Sequence, residues 1–144
     1  MMKTLPEKLN YKGQKRIAII NSPQGLVENA FLEYKDMVID SEIDQRYPYQ
    51  FMMLFVRSIS DVRELVPLAL HNLSADGVLW FCYPKKSSGK FKSDLERDHG
   101  WKPLNDAGFY CIRIVSIDQD WSALRFRNIK NIRSTSGRYP SAGK

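Results

Sequence analysis

Residues 77–90 read Gly77-Val78-Leu79-Trp80-Phe81-Cys82-Tyr83-Pro84-Lys85-Lys86-Ser87-Ser88-Gly89-Lys90. An apolar run without polar alternation marks a strand covered on both faces, and here it ends abruptly in a proline and a cationic loop. Two further runs have the same character, Lys15-Arg16-Ile17-Ala18-Ile19-Ile20-Asn21 and Phe51-Met52-Met53-Leu54-Phe55-Val56. Strands of this kind belong to parallel sheets with helices packed above and below, so these three runs decide the fold class.

The intervening segments supply the other elements. Ser22 before Pro23 has the form of an N-cap with proline at the first helical position, which predicts a short helix with Leu26, Ala30 and Phe31 on its apolar face. Asp36-Met37-Val38-Ile39-Asp40 reads as a second strand. Asp61 and Glu64 resemble a capping pair, and Val62, Leu65, Val66, Ala69 and Leu73 share one helix face, with a kink expected at Pro67 and a stop before Gly77. Ser93-Asp94-Leu95-Glu96 matches a capping box and predicts a helix opening at Asp94, broken by Gly100 and Pro103. Residues 109–117 alternate, and Asp118-Gln119-Asp120 turns the chain into residues 121–127, where Leu124 and Phe126 oppose Arg125 and Arg127. The last two strands read as a hairpin at the sheet edge. The expectation is an α/β chain: a single Rossmann-like three-layer domain over residues 1–130, its sheet mostly parallel and ending in an antiparallel hairpin, then a basic, disordered tail over residues 131–144.

Composition bounds the function. The chain has 144 residues, 43% hydrophobic and 26% charged, as in ordinary soluble globular proteins. It contains no apolar run of the roughly 18 residues a membrane span needs, and Met1-Met2-Lys3-Thr4-Leu5-Pro6-Glu7 has no signal core, so a cytoplasmic protein without membrane contact is expected. Cys82 and Cys111 lie in apolar strands without zinc-site spacing and read as reduced thiols. The net charge of +6 is segregated along the chain: residues 1–16 and 85–92 each carry +4, residues 130–144 hold only cations, and residues 28–44 carry −5. Such segments suit an anionic partner, either a small ligand or nucleic acid bound through the basic stretches.

In doubly wound sheets ligands sit beyond the carboxyl ends of the strands, where strand order reverses. Those ends bring together Asn21 to Gly25, the residues after Val56, and the basic loop. Lys85, Lys86, Ser87, Ser88 and Lys90, with Gly89, have the ingredients of a phosphate or carboxylate cradle. The loop is no ATP-binding signature, because Pro84 stands where the first glycine belongs and Phe91 where serine or threonine belongs. Ser22, Gln24 and Gly25 form the facing loop, with one glycine where a dinucleotide fingerprint has three, and Asp40 stands where a ribose-binding acid would. Asp118, Trp121 and Arg125, with Ser122 and Arg127, suggest a third wall. His71 and His99 have no serine, cysteine or carboxylate partner that the sequence places nearby, so no catalytic residue and no metal site is assigned. No cofactor is specified.

Three segments carry a resemblance. Residues 17–25, residues 79–89 with Asp94-Leu95, and residues 118–126 are similar to a widespread bacterial family of small domains without an assigned activity. The shared features are a Trp-x-x-x-Pro-Lys-Lys pattern (Trp80, Pro84, Lys85, Lys86) and a Trp-Ser-x-Leu-Arg-Phe ending (Trp121, Ser122, Leu124, Arg125, Phe126). The resemblance spans about residues 5–128 and implies a Rossmann-like domain. From Phe51 to Phe109 the chain also resembles the later strands of adenosylmethionine-dependent methyltransferases, departing at Asn21 to Gly25, where that superfamily has several glycines. The sequence thus points to a binder of an anionic, phosphate- or carboxylate-containing ligand at the carboxyl edge of its sheet. The alternatives are a nucleic-acid-binding module and a degenerate methyltransferase-like nucleotide binder.

Overall fold

Two strands covered on both faces form the centre of a six-stranded sheet. The computed structural model describes residues 3–132, so the expected tail lies outside the described residues from residue 133 onward. Strands β3 (Tyr49–Phe55) and β4 (Leu73–Pro84) pair in parallel, Phe51 to Phe55 against Val78 to Cys82. On the other side of β3 lies β1 (Arg16–Ile20), also parallel, with the short β2 (Val38–Asp40) beyond it. Past β4, β6 (Trp121–Asn128) runs antiparallel and β5 (Phe109–Ser116) closes the sheet, giving the order β2-β1-β3-β4-β6-β5.

The sheet separates two cores. On one face, α2 (Ile59–Asn72), Trp101 and Leu104 of α3 (Lys102–Asp106) cover Ala18, Met52, Leu54, Leu79, Phe81 and Leu124. On the other, Leu9, Tyr11, Val27 and Phe31 cover Ile17, Ile19, Met53, Trp80, Cys82 and Trp121. Leu9 follows the single-turn helix α1 (Leu5–Lys8), and its carbonyl accepts a 2.8 Å hydrogen bond from the buried Trp80 Nε1. An unbroken apolar run is therefore split between two cores by strand alternation, each fully buried large side chain contributing on the order of 1.5–3 kcal/mol. Cys82 and Cys111 pack against opposite faces and are free thiols, and burial pushes the Cys82 thiol well up.

Several expectations change. Residues 23–27 turn rather than coil, and only a 3₁₀ turn, Glu28–Phe31, follows; Ser22 does not cap it, and its hydroxyl donates toward Glu28 Oε1 instead. No helix opens at Asp94. Ser93 Oγ accepts the Leu95 N–H in a local turn, while Asp94 Oδ1 accepts the Ile59 N–H at 2.9 Å and caps α2 from a distance. The N-cap of α2 is Ser58, not Asp61; Asp61 is the residue whose N–H Ser58 Oγ accepts, and its carboxylate reaches back to the Arg57 N–H. The hairpin is as expected, but β6 lies inside the sheet and β5 takes the edge, because β6 pairs with β4 from Leu79↔Phe126 to Pro84↔Trp121.

β4 starts before Gly77. Between the pairs Tyr49↔Leu73 and Phe51↔Val78 it bulges, with Asp76 left-handed at φ 54°. A Cβ at Gly77 would lie 2.8 Å from Leu73 Cδ1 and 3.0 Å from the Tyr49 carbonyl oxygen. Gly77→Ala should therefore lower unfolding stability by about 1–3 kcal/mol, read from urea titration. The bulge is tied to β6 by Arg127, which donates to both Asp76 oxygens at 2.8 and 2.6 Å and holds that carboxyl below its usual range. A depressed carboxylate contributes stability above the ordinary aspartate pKa of about 3.9, and this is lost as pH falls through the lowered value. Both side chains are about one-third exposed, so the pair contributes no more than about 1 kcal/mol. Arg127→Met should be less stable than the parent at neutral pH and equal to it in strong acid, by urea titration at each pH.

Candidate functional site

Strand order reverses between β1 and β3: the chain leaves β1 for β2 on one side and begins β3 on the other. A crevice opens there at the carboxyl ends. Asn21, directly after β1, is left-handed at φ 58°, a conformation asparagine tolerates better than most residues. Asn21, Ser22, Phe55, Arg57 and Asp61 enclose a cleft of about 310 Å³. The Arg57 guanidinium lies 4.7 Å from the Phe91 ring centroid and 5.9 Å from that of Trp121. Among the described residues it makes no ion pair. Asp61 faces it as the cleft's carboxylate, accepting the Arg57 N–H at 2.8 Å. The start of α2 is thus met by the chain's own carboxylates, Asp61 and Asp94, and the cleft's cation is a side chain.

The basic loop turns away from this cleft, toward β6 and β5. Its centre is a carboxylate of the same chain, the buried Asp120. Ser88 Oγ donates to Asp120 Oδ1 at 2.8 Å and accepts the N–H groups of Lys90 and Phe91. Lys90 Nζ lies 3.9 Å from Asp120 Oδ2, and the Lys85 N–H donates to the Asp120 carbonyl at 2.8 Å. Lys85 Nζ donates to Ser116 Oγ at 2.6 Å, and Lys86 pairs with Glu96. Ser87 is exposed. Of the cradle's ingredients, the Ser88 and Lys90 side chains are turned to Asp120, Lys86 to Glu96 and Lys85 to Ser116.

The remaining predicted residues separate. Gly25 has φ 71°, and its carbonyl accepts the Asn29 N–H, while Gln24 is exposed. Trp121 is buried, edge-on to Phe55 at 5.1 Å, so it anchors the core and cannot stack a ligand. Asp118 Oδ1 accepts the N–H groups of Asp120 and Trp121 at 2.8 Å each and shapes the turn. Arg125 pairs with Trp80, four residues down β6 from Trp121, about 13 Å at the usual strand rise, so it forms no third wall. Asp40 accepts from Arg16 Nε at 2.7 Å and from the Tyr49 hydroxyl, which engages the acid expected to meet a ribose. His71 is exposed on α2. His99 lines a larger cavity of about 720 Å³ beside α3, with Arg63, Arg97, Tyr110 and Cys111. Its lining mixes exposed and half-buried side chains, and Lys102 and Asp106, one turn apart on α3, pair with each other. Among the described residues no group of three or more metal-ligating side chains occurs, and no helix is long and apolar enough to cross a membrane.

Arg57, Asp61 and Asp120 were not assigned to a site from the sequence, where Asp61 reads as a cap and Asp120 as part of a turn. Arg57 had a signal, being the first charged residue after the apolar run 51–56. The two quoted motifs prove to be cross-strand partners, Trp80 facing Arg125 and Pro84 facing Trp121.

Comparison with family models and with curated proteins gave no match. Among solved structures the chain is similar to ribosomal protein L11 methylase from Lactobacillus delbrueckii subsp. bulgaricus, with TM-score 0.59 and 13% identity over 85% of this chain and 74% of that one. It is also similar to a SAM-dependent methyltransferase from Archaeoglobus fulgidus, with TM-score 0.55 and 13% identity over 85% and 91%. Human N-acetylserotonin methyltransferase, in complex with SAM, gives TM-score 0.57 and 9% identity over 86% and 52%. The fold is the Rossmann-like one of these methyltransferases. At such identities the likeness is one of fold alone.

Asp120→Ala should remove the loop's internal acceptor and cost about 1–3 kcal/mol. It should also speed tryptic cleavage within residues 85–92 under native conditions, measured by mass spectrometry of the fragments.

Proposed function

We propose that this chain is a ligand-binding domain that takes a small anionic molecule, phosphate- or carboxylate-containing, in the cleft between the carboxyl ends of β1 and β3. Arg57 carries the reading. Its guanidinium is held over Phe91 and makes no ion pair among the described residues, so its donors are available to an oxyanion in bidentate geometry. Asp61 adds an acceptor, which selects a ligand with a hydroxyl or ammonium group near its anionic end. Ser22 donates toward Glu28 and no histidine lines the cleft, so the reading assigns binding and no reaction.

A degenerate methyltransferase-like nucleotide binder is the second reading, favoured by the fold likeness. With Asp40 engaged by Arg16 and Tyr49, a nucleotide in this cleft would be held through its phosphates on Arg57 rather than through its ribose.

A thermal-shift screen with phosphate, pyrophosphate, adenine nucleotides, adenosylmethionine and dicarboxylates tests both. At least one anion should raise the melting temperature. Arg57→Ala should abolish that shift and weaken calorimetric affinity at least tenfold, as expected for a charged hydrogen bond worth about 1.5–3 kcal/mol. Lys86→Ala should leave both unchanged. A shift that survives Arg57→Ala would move the site elsewhere.

A further inference from the structure

Away from the cleft, on the face of the sheet that bears Trp80, the hairpin carries an arrangement that a folded chain ordinarily avoids. Arg113 of β5 and Arg125 of β6 are direct cross-strand partners, like charges placed opposite each other. Arg127, two residues further along β6, adds a third guanidinium. The nearby acid, Asp76, is already held through both oxygens by Arg127. Arg125 is half-buried, its Nε is buried without any acceptor, and it makes no ion pair among the described residues. Burial, and then Arg127 and Arg113, disfavour its charge, which Asp76 offsets in part. A buried donor that no described residue meets, opposite a like charge, calls for an acceptor beyond the described residues, which a bound anion would supply.

The surroundings indicate its kind. Beside the pair, a groove of about 490 Å³ is lined by Lys3, Lys8, Arg113, Ile114, Val115 and Ser116. Glu7, the acid of α1, is turned onto Thr4, from whose backbone N–H and hydroxyl it accepts. Lys3, Lys8 and Arg113 line this one groove, with Arg125 opposite Arg113, so a chain of phosphates can meet several cations where one small anion would neutralise one or two. The single exposed large apolar side chain here, Ile114, sits on a strand, and the groove has no amphipathic helix to insert into a bilayer.

We infer that the groove beside the opposed arginines Arg113 and Arg125 binds the phosphodiester backbone of a single-stranded nucleic acid, with an oxyanion bridging the two guanidiniums. Guanidinium forks suit this geometry, and recognition through phosphates alone carries no sequence preference.

The test is fluorescence anisotropy with the full chain and a labelled single-stranded oligonucleotide of mixed sequence, titrated between about 50 and 200 mM salt. Binding should weaken with salt, log K against log salt having a slope of about −0.7 for each phosphate engaged. Arg113→Glu, at an exposed position, and Arg125→Met should each weaken binding about tenfold or more, and Arg125→Met should flatten the slope by about 0.7. Because Arg125→Met removes an unmet buried donor, its melting temperature without nucleic acid should equal or exceed the parent's, which a purely structural arginine would not allow. Arg57→Ala should leave oligonucleotide binding unchanged. The proposal is overturned if neither arginine variant alters affinity, if no binding occurs at the lowest salt, or if mixed phosphatidylcholine–phosphatidylserine vesicles bind while the oligonucleotide does not.

Discussion

The parallel ladder between β3 and β4 is the constraint from which the rest follows. From Phe51↔Val78 to Phe55↔Cys82 every side chain on both strands is buried, so neither face of the sheet centre can meet water and both must be roofed. Trp80 shows how local this demand is. Its indole lies wholly inside, and its one donor must find an acceptor, which the chain supplies by ending α1 with the Leu9 carbonyl over it. The central strands reach solvent only toward their ends, which confines the polar chemistry of β1, β3 and β4 to the two edges, Arg16 and Asp76 at one and Arg57 at the other.

At that edge, electrostatics divides the loops into two groups. Phe91 belongs to both: it leaves the basic loop to lie under the Arg57 guanidinium, while the rest of the loop is drawn toward Asp120. A buried carboxylate needs donors, and Ser88 and Lys90 are the ones within reach. Two of the loop's four lysines, Lys86 and Lys90, are thus set against carboxylates of the same chain. Strands place cations where no loop count would show them, Arg57 directly after β3 and Arg113 opposite Arg125 across the hairpin.

Much of the framework was legible in the sequence, for identifiable reasons. The runs containing Ile17, Met53 and Phe81 are apolar at every position, and only a doubly covered strand uses such a run. Alternation at Leu124, Arg125, Phe126 and Arg127 likewise announced the hairpin. What was illegible depends on partners distant in the chain. Asp94 looked like the start of a helix because its neighbours fit a local capping pattern, yet its carboxylate serves Ile59, 35 residues earlier. Asp120 lies 32 residues after Ser88, and nothing local joins them until β6 is inserted beside β4. The candidate site was legible in position, at the carboxyl edge, and illegible in membership, because charge counted along the chain does not say which charges cancel in space.

The open margin of the sheet carries a last consequence. β5 presents eight residues at this edge, long enough to template pairing with another copy, whereas β2 at the opposite margin has three. Its register slips between Cys111 and Arg113, so the outer backbone is not a flat row of donors and acceptors. Arg113 is exposed at that slip, and a second β5 laid alongside would bring its own guanidinium toward it. Exchanging this arginine for an apolar residue would remove a charge from the open edge, where charged side chains oppose edge-to-edge pairing.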